Sequence, residues 1–175
     1  HEVECDPVHK ATIIPRGRAL GLVMSLPPGD RYSKHKSKMK AELAMAMGGR
    51  VAEEVVFGDL TTGAESDLEQ ATAVARQMVG RWGMSERLGM VSVLPGPGLE
   101  AFGVPGGSGA SSEHTRELVD DEVRRITEEC YGHAIDVLTE HREQLDGLAA
   151  ALLAHETLDE ADAYHAAGLS GRTPS

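Results

Sequence analysis

The sequence predicts a mainly α-helical protein with a small β-hairpin or sheet near its N-terminus. Apolar residues recur at helical spacing in several long stretches, and a short β-branched stretch precedes them. Hydrophobic residues form 41% of the 175 residues, but aromatic residues form only 3%. A core built from Leu, Val, Ile, Met and Ala favours closely packed helices in one compact domain, with or without a tail.

The charge and cysteine content exclude several functional classes. With 17 basic and 28 acidic residues the formal net charge is −11, which argues against nucleic acid as a partner because phosphate recognition needs a basic surplus. No apolar run is long enough to predict a transmembrane segment in this chain. Cys5 and Cys130 belong to no CxxC or CxxH pair, so neither a disulfide framework nor a cysteine zinc site is predicted.

The first predicted elements are two short strands joined by a turn that contains Pro15 and Gly17. The strands cover Ala11–Ile14 and Leu20–Leu26. A helix is predicted from Ser33 to about Val56, where apolar residues recur every four positions. Its interior holds Gly48 and Gly49, which cost roughly 1 kcal/mol each relative to alanine. We therefore expect a group or a neighbouring helix to lie very close to the backbone there.

The segment TTGAESD opens a further helix that ends near Gly80–Gly83. Ser66 and Glu69 form a capping-box pattern at its start. Asp67 falls in the first turn, and acids are common there because they complement the free N–H groups and the helix dipole. The alternative is that the turn points the Asp67 carboxylate into a cleft. The spacing alone leaves both interpretations open.

The second half of the chain is predicted to be a Gly/Pro-rich loop followed by helices. Apolar periodicity predicts a long helix over Glu113–His141, another through Leu145–Leu153, and a short helix over Asp159–Ala167. The predicted organisation is a core of strands and two helices over residues 1–94, a loop over 95–112, a C-terminal helical subdomain over 113–167 and a tail over 168–175.

Eight histidines in an acidic helical chain prompt a search for metal ligands. No two of them lie three or four positions apart, so the chain contains no intact HExxH motif. The segment His1–Cys5 imitates its first half, but Pro7 follows and no helix presents the ligands, so we interpret it as coincidence. Glu53 and Glu54 are candidates to orient a metal ligand, or else to form salt bridges with a residue such as Arg50.

Four ordered segments closely resemble the peptidase domain of the FtsH family, whose members are ATP-dependent, membrane-anchored zinc metalloproteases. They are DPVHKATIIPRGRALG (Asp6–Gly21), YSKHKSKMKAELAMAMGGRVAEEVVFG (Tyr32–Gly58), TTGAESDLEQATAVARQMV (Thr61–Val79) and WGMSERLG (Trp82–Gly89). The helical residues 113–159 also resemble that domain. The resemblance therefore implies an FtsH-like peptidase fold for nearly the whole chain.

The resemblance implies a zinc site and a role for Asp67. In the family, two histidines of HExxH and an aspartate of the TTGAxxD segment hold Zn²⁺, and the glutamate of HExxH is the general base. Asp67 matches the aspartate ligand. Glu53, Thr62 and Gly63 are the residues that we expect to shape the site around it.

The family's HExxH helix precedes the segment that matches Asp6–Lys10, so the histidine ligands and the catalytic glutamate are expected upstream of His1. An ATPase domain that uses ATP and Mg²⁺ and a membrane anchor are expected further upstream. We therefore expect this polypeptide alone to bind zinc weakly and to hydrolyse no peptide bonds. The implied parent protein is a homo-hexamer that degrades unfolded and membrane proteins, with this domain on the cytoplasmic side.

In the family a strand edge near the site receives the substrate as an extended chain. Lys10–Ile14, with Lys10, Thr12 and Ile14 as candidate residues, or Leu20–Leu26 would supply this edge; alternatively the strands only close the core. A different function also remains open, in which the chain is a proteolytically inactive paralogue or split subunit that acts as an assembly scaffold. The intact Asp67 and TTGA turn favour the protease.

Overall fold

A computed structural model describes residues 5–15, 21–25, 33–94 and 111–169 of the chain. The described elements are β1 (Val8–Thr12), β2 (Leu22–Ser25), α1 (Lys36–Phe57), a 3-10 turn (Thr62–Ala64), α2 (Glu65–Gly80), α3 (Glu113–Glu140), α4 (Arg142–His155), β3 (Thr157–Asp159) and α5 (Glu160–Ala166). The predicted class, mainly α with a small sheet, is confirmed. Most of the predicted turn at Pro15–Arg18, most of the 95–112 loop and the end of the tail lie outside the described residues.

The chain divides into two compact units. One contains residues 1–34 and 136–175, and therefore the three strands, α4 and α5. The other contains residues 35–135, and therefore α1, the 3-10 turn, α2 and most of α3. The first unit is thus assembled from both ends of the chain, whereas the predicted segments 1–94 and 113–167 are each continuous in sequence.

The first unit is built on a three-stranded antiparallel sheet with the order β2-β1-β3. Lys10 of β1 faces Met24 on one side and Asp159 on the other, and Thr12 faces Leu22 and Thr157. The hydroxyls of Thr12 and Thr157 lie 2.8 Å apart, and the Thr12 hydroxyl also donates to the Glu156 carbonyl at 3.1 Å. β1 is therefore the central strand.

This topology corrects the predicted substrate edge. Lys10 and Thr12 are paired on both sides, so the prediction that they offer a free strand edge is wrong. Ile14 lies beyond β1, and its N–H donates to the Thr12 hydroxyl at 3.2 Å. The second candidate segment contains β2, which pairs with β1 alone among the described strands.

The second unit is built around α1 and α2. α1 begins at Lys36 and buries Met39, Leu43, Met47 and Val51, as the spacing of four predicts. It ends at Gly58, which adopts a left-handed conformation with φ +67° and donates its N–H to the Glu54 carbonyl at 2.9 Å. α2 contacts α1 and buries Ala71, Ala75, Met78 and Val79.

α3 matches its predicted bounds to within one residue and buries Val119, Val123, Ile126, Cys130 and Ala134. It is joined to α1 by an ion pair between Lys40 Nζ and Glu129 Oε1 at 2.6 Å, and to α2 by one between Arg76 and Asp120 at 3.0 Å. Exposed pairs of this kind contribute at most about 1 kcal/mol each, so the apolar face of α3 dominates its attachment. None of the described helices is long and apolar enough to cross a membrane.

A buried carboxylate joins α3 to the segment after α2. The Glu122 side chain is 1% exposed and accepts hydrogen bonds from the Ser85 hydroxyl at 2.7 Å and from two nitrogens of Arg125 at 2.9 and 3.1 Å. Arg87 lies 3.5 Å from the same carboxylate. These four residues, which we call the Glu122 cluster, fix the Ser85 segment against α3. Cys5 and Cys130 are both buried.

Candidate functional site

The turn that joins α1 to α2 is organised by Thr61. Its hydroxyl accepts the N–H of Gly63 at 3.2 Å and so begins the 3-10 turn that leads directly into α2. The predicted capping box is wrong, because α2 begins at Glu65 and Ser66 already lies inside the helix. The 3-10 turn provides the helix start instead, and the hydroxyl that caps it belongs to Thr61.

The carboxylate of Glu53 holds Thr61 in place. It accepts the Thr61 N–H at 3.2 Å and lies 2.9 and 3.1 Å from the Thr61 hydroxyl through its two oxygens. We call these contacts, together with the bond from Gly63 to Thr61, the Glu53–Thr61 clamp. Because Glu53 lies on α1, the clamp joins the last turns of α1 to the beginning of α2.

The structure also places the predicted site-shaping residues Thr62 and Gly63. A Cβ added at Gly63 would lie 3.3 Å from the Thr61 hydroxyl and 3.7 Å from Glu53 Oε1, so any larger residue presses on the clamp. Thr62 is exposed and contributes its carbonyl, which accepts the N–H of Glu65. The side-chain contact that we expected near Thr62 belongs to its neighbour, Thr61.

Asp67 lies half-buried in the first turn of α2 and faces α1. Its Oδ2 is 4.0 Å from the position that a Cβ on Gly49 would occupy. The very close approach that we expected at the glycine pair is therefore not seen: at Gly49 the neighbouring group is this carboxylate, at an ordinary van der Waals distance that an alanine would also allow. At Gly48 no described atom lies within 4 Å of an added Cβ.

The Asp67 carboxylate makes no hydrogen bond or ion pair with any residue that the structure describes. The oxygens of Asp67 remain accessible to solvent, since no described side-chain oxygen is fully buried without a hydrogen-bond partner. Carboxylate oxygens are also common ligands of zinc, and here both remain available. The chemistry of Asp67 therefore fits a metal ligand. Across the described ranges, no group of three or more His, Cys, Asp or Glu side chains is arranged to hold a metal ion.

Glu54, next to Glu53, faces a different element. It accepts a short hydrogen bond from the hydroxyl of Tyr131 on α3. Burial of the Tyr131 ring, and then the bond to Glu54, raise the pKa of that phenol above its ordinary value. The two neighbouring carboxylates are therefore distinct: Glu53 holds the turn that carries Asp67, and Glu54 holds α3.

Large apolar side chains lie exposed on both sides of this turn. Phe57 at the end of α1 is 78% exposed, and three others are between 36% and 42% exposed: Val56, Leu60 and Leu68. Exposed apolar groups so close together in sequence are typical of a surface that another segment or chain covers.

The edge strand β2 also exposes apolar side chains. Leu22, Val23 and Met24 are 43%, 63% and 43% exposed, although they alternate between the two faces of the sheet. β2 thus combines a row of backbone groups that no described strand pairs with and an apolar surface. This is a suitable surface for an additional extended chain.

Comparison with known protein families identifies the class of this domain as an M41 peptidase. The model of peptidase family M41 matches residues 2–166. The chain belongs to this family, and it is an FtsH-family peptidase domain, as the sequence motifs predict.

Several curated relatives are similar along almost the whole chain. ATP-dependent zinc metalloprotease FtsH 3 of Conexibacter woesei is 54% identical over 169 residues, which are 97% of this chain and 22% of that protein. ATP-dependent zinc metalloprotease FtsH of Thermobaculum terrenum is 48% identical over 98% of this chain and 27% of its own length. ATP-dependent zinc metalloprotease FtsH of Rickettsia bellii is 50% identical over 87% of this chain and 24% of its own length. The chain thus spans about a quarter of the length of these relatives.

Proposed function

We propose that this chain is the C-terminal part of an ATP-dependent zinc metalloendopeptidase and that Asp67 supplies one zinc ligand. The observation that carries the proposal is the half-buried Asp67 carboxylate, which has no partner among the described residues and faces the bare backbone at Gly49. The FtsH resemblance assigns a zinc ligand to this same position. Zinc bound there would activate a water molecule and polarise the scissile carbonyl.

The remaining ligands and the general base are proposed to come from an HExxH helix in a preceding part of a longer chain. The relatives support this, because each is about four times as long as the segment it shares with this chain. The exposed apolar side chains around the turn, together with the open backbone at Gly48, support a docking surface for that helix beside Asp67. The role of this chain's own residues is then to present one carboxylate in a fixed position.

The substrate is proposed to be an unfolded or membrane protein that adds to β2 as an extended chain. Main-chain hydrogen bonds along an edge strand are nearly independent of substrate sequence, which suits an enzyme that degrades many proteins. The exposed apolar side chains of Leu22, Val23 and Met24 support such contacts. This assigns to β2 the role that we had expected also for Lys10, Thr12 and Ile14.

The wider assembly is proposed from the family resemblance. It includes an ATPase domain that uses ATP and Mg²⁺, a homo-hexameric ring, and a membrane anchor outside this chain with the peptidase domain on the cytoplasmic side. The relatives' names, which call them ATP-dependent, support the ATPase domain.

The alternative is a proteolytically inactive scaffold with the same fold. The intact Asp67 and TTGA turn support the peptidase, because both match the segment that carries a zinc ligand in the FtsH family. We expect a lineage released from catalysis to replace such a residue.

The test substitutes Asp67→Asn in the full protein that carries this domain. We expect loss of bound zinc and of casein hydrolysis with ATP hydrolysis retained, because the amide is a much weaker zinc ligand. Zinc is measured by metal analysis after gel filtration. Glu69→Gln is the matched control, since Glu69 is an exposed acid of the same helix.

If Asp67 only complements the helix dipole, Asp67→Asn changes stability by about 0.3–1 kcal/mol. Zinc content and casein hydrolysis would then equal those of the Glu69→Gln variant. That result would refute the proposed ligand.

A further inference from the structure

We propose that Glu53 is a positioning residue for the zinc ligand Asp67 and that it acts through Thr61. This inference rests on the proposed function. The hydrogen bonds of the Glu53–Thr61 clamp do not involve Asp67. The clamp fixes the turn from which α2 starts, and with it the direction in which Asp67 points.

The hydrogen bonds of the clamp define a single arrangement. A threonine hydroxyl has one proton, and here the Glu53 carboxylate can only accept, so that proton is donated to Glu53. The hydroxyl oxygen is then free to accept the N–H of Gly63 at 3.2 Å. The Thr61 N–H also donates to Glu53, so one carboxylate fixes both the backbone and the side chain of Thr61.

The position of Glu53 on α1 explains why the clamp affects the site. Gly49 and Glu53 are four residues apart and therefore lie on the same face of the helix. The Asp67 carboxylate lies beside Gly49, with Oδ2 4.0 Å from the position of an added Cβ, and Glu53 holds the turn from which α2 starts. Glu53 therefore fixes the start of α2 on the same face of α1 that the proposed ligand approaches.

Gly63 adds an independent constraint. Its missing side chain lets Thr61 and Glu53 approach, since an added Cβ would lie only 3.3 Å from the Thr61 hydroxyl. Contacts between a threonine hydroxyl and a carboxylate involve a full charge, and such bonds are roughly twice as strong as neutral ones. The turn is therefore held more rigidly than its exposed position suggests.

The test compares zinc affinity of the full protein in four variants, by competition with a chromophoric chelator. Glu53→Gln and Thr61→Val each remove the charge-assisted bond, and we expect zinc affinity to fall on the order of tenfold, the lower part of the range for residues that support metal ligands. Thr61→Ser keeps the hydroxyl and is expected to retain wild-type affinity. Glu54→Gln is the matched control, because Glu54 bonds to Tyr131 and not to the turn.

A second readout follows the turn itself. The Gly63 amide is protected by its bond to Thr61, so hydrogen exchange at Gly63 is expected to accelerate in Glu53→Gln and Thr61→Val but not in Glu54→Gln. The double variant Glu53→Gln/Thr61→Val is expected to lose no more zinc affinity than either single variant, since both remove the same contact. If Glu53→Gln fails to fold, Thr61→Val alone decides the outcome.

The outcomes separate this inference from the proposed function. If Asp67→Asn loses zinc while Glu53→Gln and Thr61→Val bind it like the wild type, the positioning role is overturned and the ligand stands. Equal losses in Glu53→Gln and Glu54→Gln would also overturn it, because they would reflect general stability. If Asp67→Asn retains zinc, the proposed function itself fails.

Discussion

The Glu122 cluster allows a stability effect to be worked out from the structure. Glu122→Gln keeps the size of a side chain that is 1% exposed but removes its negative charge. The hydrogen bonds from Arg125, and in smaller part the bond from Ser85 and the charge of Arg87, lower the pKa of Glu122 from its ordinary 4.5 to about 2, against the opposing effect of burial. The folded state therefore strongly prefers the ionised form.

The size of the effect follows from that pKa difference. The shift from 4.5 to about 2 corresponds to about 3 kcal/mol at roughly 1.4 kcal/mol per pKa unit. Because the folded pKa lies below the unfolded value, this contribution is complete above pH 4.5 and is lost as the pH falls towards about 2. Arg125 and Arg87 are 46% and 52% exposed, so water can solvate them in the variant. We therefore expect Glu122→Gln to lower the free energy of unfolding by about 2–3 kcal/mol at pH 7.

Urea unfolding followed by tryptophan fluorescence measures this change locally. The chain has one tryptophan, Trp82, which lies three residues before Ser85. Below pH 4.5 we expect the wild-type stability to approach that of Glu122→Gln, whose own pH slope is shallower. Glu128→Gln is the control, because Glu128 is an exposed acid on the same helix.

Two results would refute this reasoning. One is a Glu122→Gln protein as stable at pH 7 as Glu128→Gln. The other is an unchanged pH slope of stability between pH 4.5 and about 2, which would mean that other carboxylates cause the acid sensitivity.

Two further predictions concern packing and the edge strand. Gly147→Ala is expected to destabilise the protein by about 1–3 kcal/mol in urea unfolding followed by circular dichroism, because the added Cβ would lie 2.7 Å from the Ala166 carbonyl oxygen. Gly132→Ala meets nothing within 4 Å and is expected to stabilise α3 by about 0.5–1 kcal/mol, so a loss in both variants would contradict the argument. Val23→Lys, on the 63% exposed edge position, is expected to slow casein degradation by the full protein with little change in stability or zinc content. Unchanged degradation would argue against β2 as the substrate edge.

The helices α1, α2 and α3 were largely predictable because each of them buries one periodic face. The apolar spacing of α3 is uninterrupted over its 28 residues, and its predicted bounds differ from the observed ones by a single residue. The start of α1 was less accurate, at Ser33 instead of Lys36. His35 at the start of α1 makes no side-chain capping bond, so the sequence there carries no strong start signal.

The sheet was only partly predictable because its pairing is long-range. β3 has three residues, too few for an alternating pattern, and it pairs with a strand near the opposite end of the chain. Without β3, nothing in the sequence indicates that β1 is central. The error in assigning Lys10 and Thr12 to a free edge follows directly from this missing strand.

At the candidate site the sequence predicted which segments matter, but it did not predict which side chains make the contacts. The sequence singled out Glu53 and the Thr-Thr-Gly turn, but not which threonine faces Glu53. The Thr61 hydroxyl is engaged because its backbone is extended, with φ −109° and ψ 170°, immediately before the 3-10 turn. Thr62 is already inside that turn. The two neighbouring threonines thus make different contacts because their backbone conformations differ. The sequence pattern alone does not specify those conformations.

The structure shows whether Asp67 acts as a cap at the start of α2. An acid in the first turn of a helix is common, and it is usually stabilised by a hydrogen bond from a free backbone N–H. Here the cap is made by Thr61 and the preceding 3-10 turn, so the Asp67 carboxylate is left without a partner among the described residues. It also faces α1 at Gly49, where Oδ2 lies 4.0 Å from the position of an added Cβ. The Asp67 carboxylate is therefore available to a ligand, and the Asp67→Asn variant tests whether zinc binding or the helix dipole accounts for this acid.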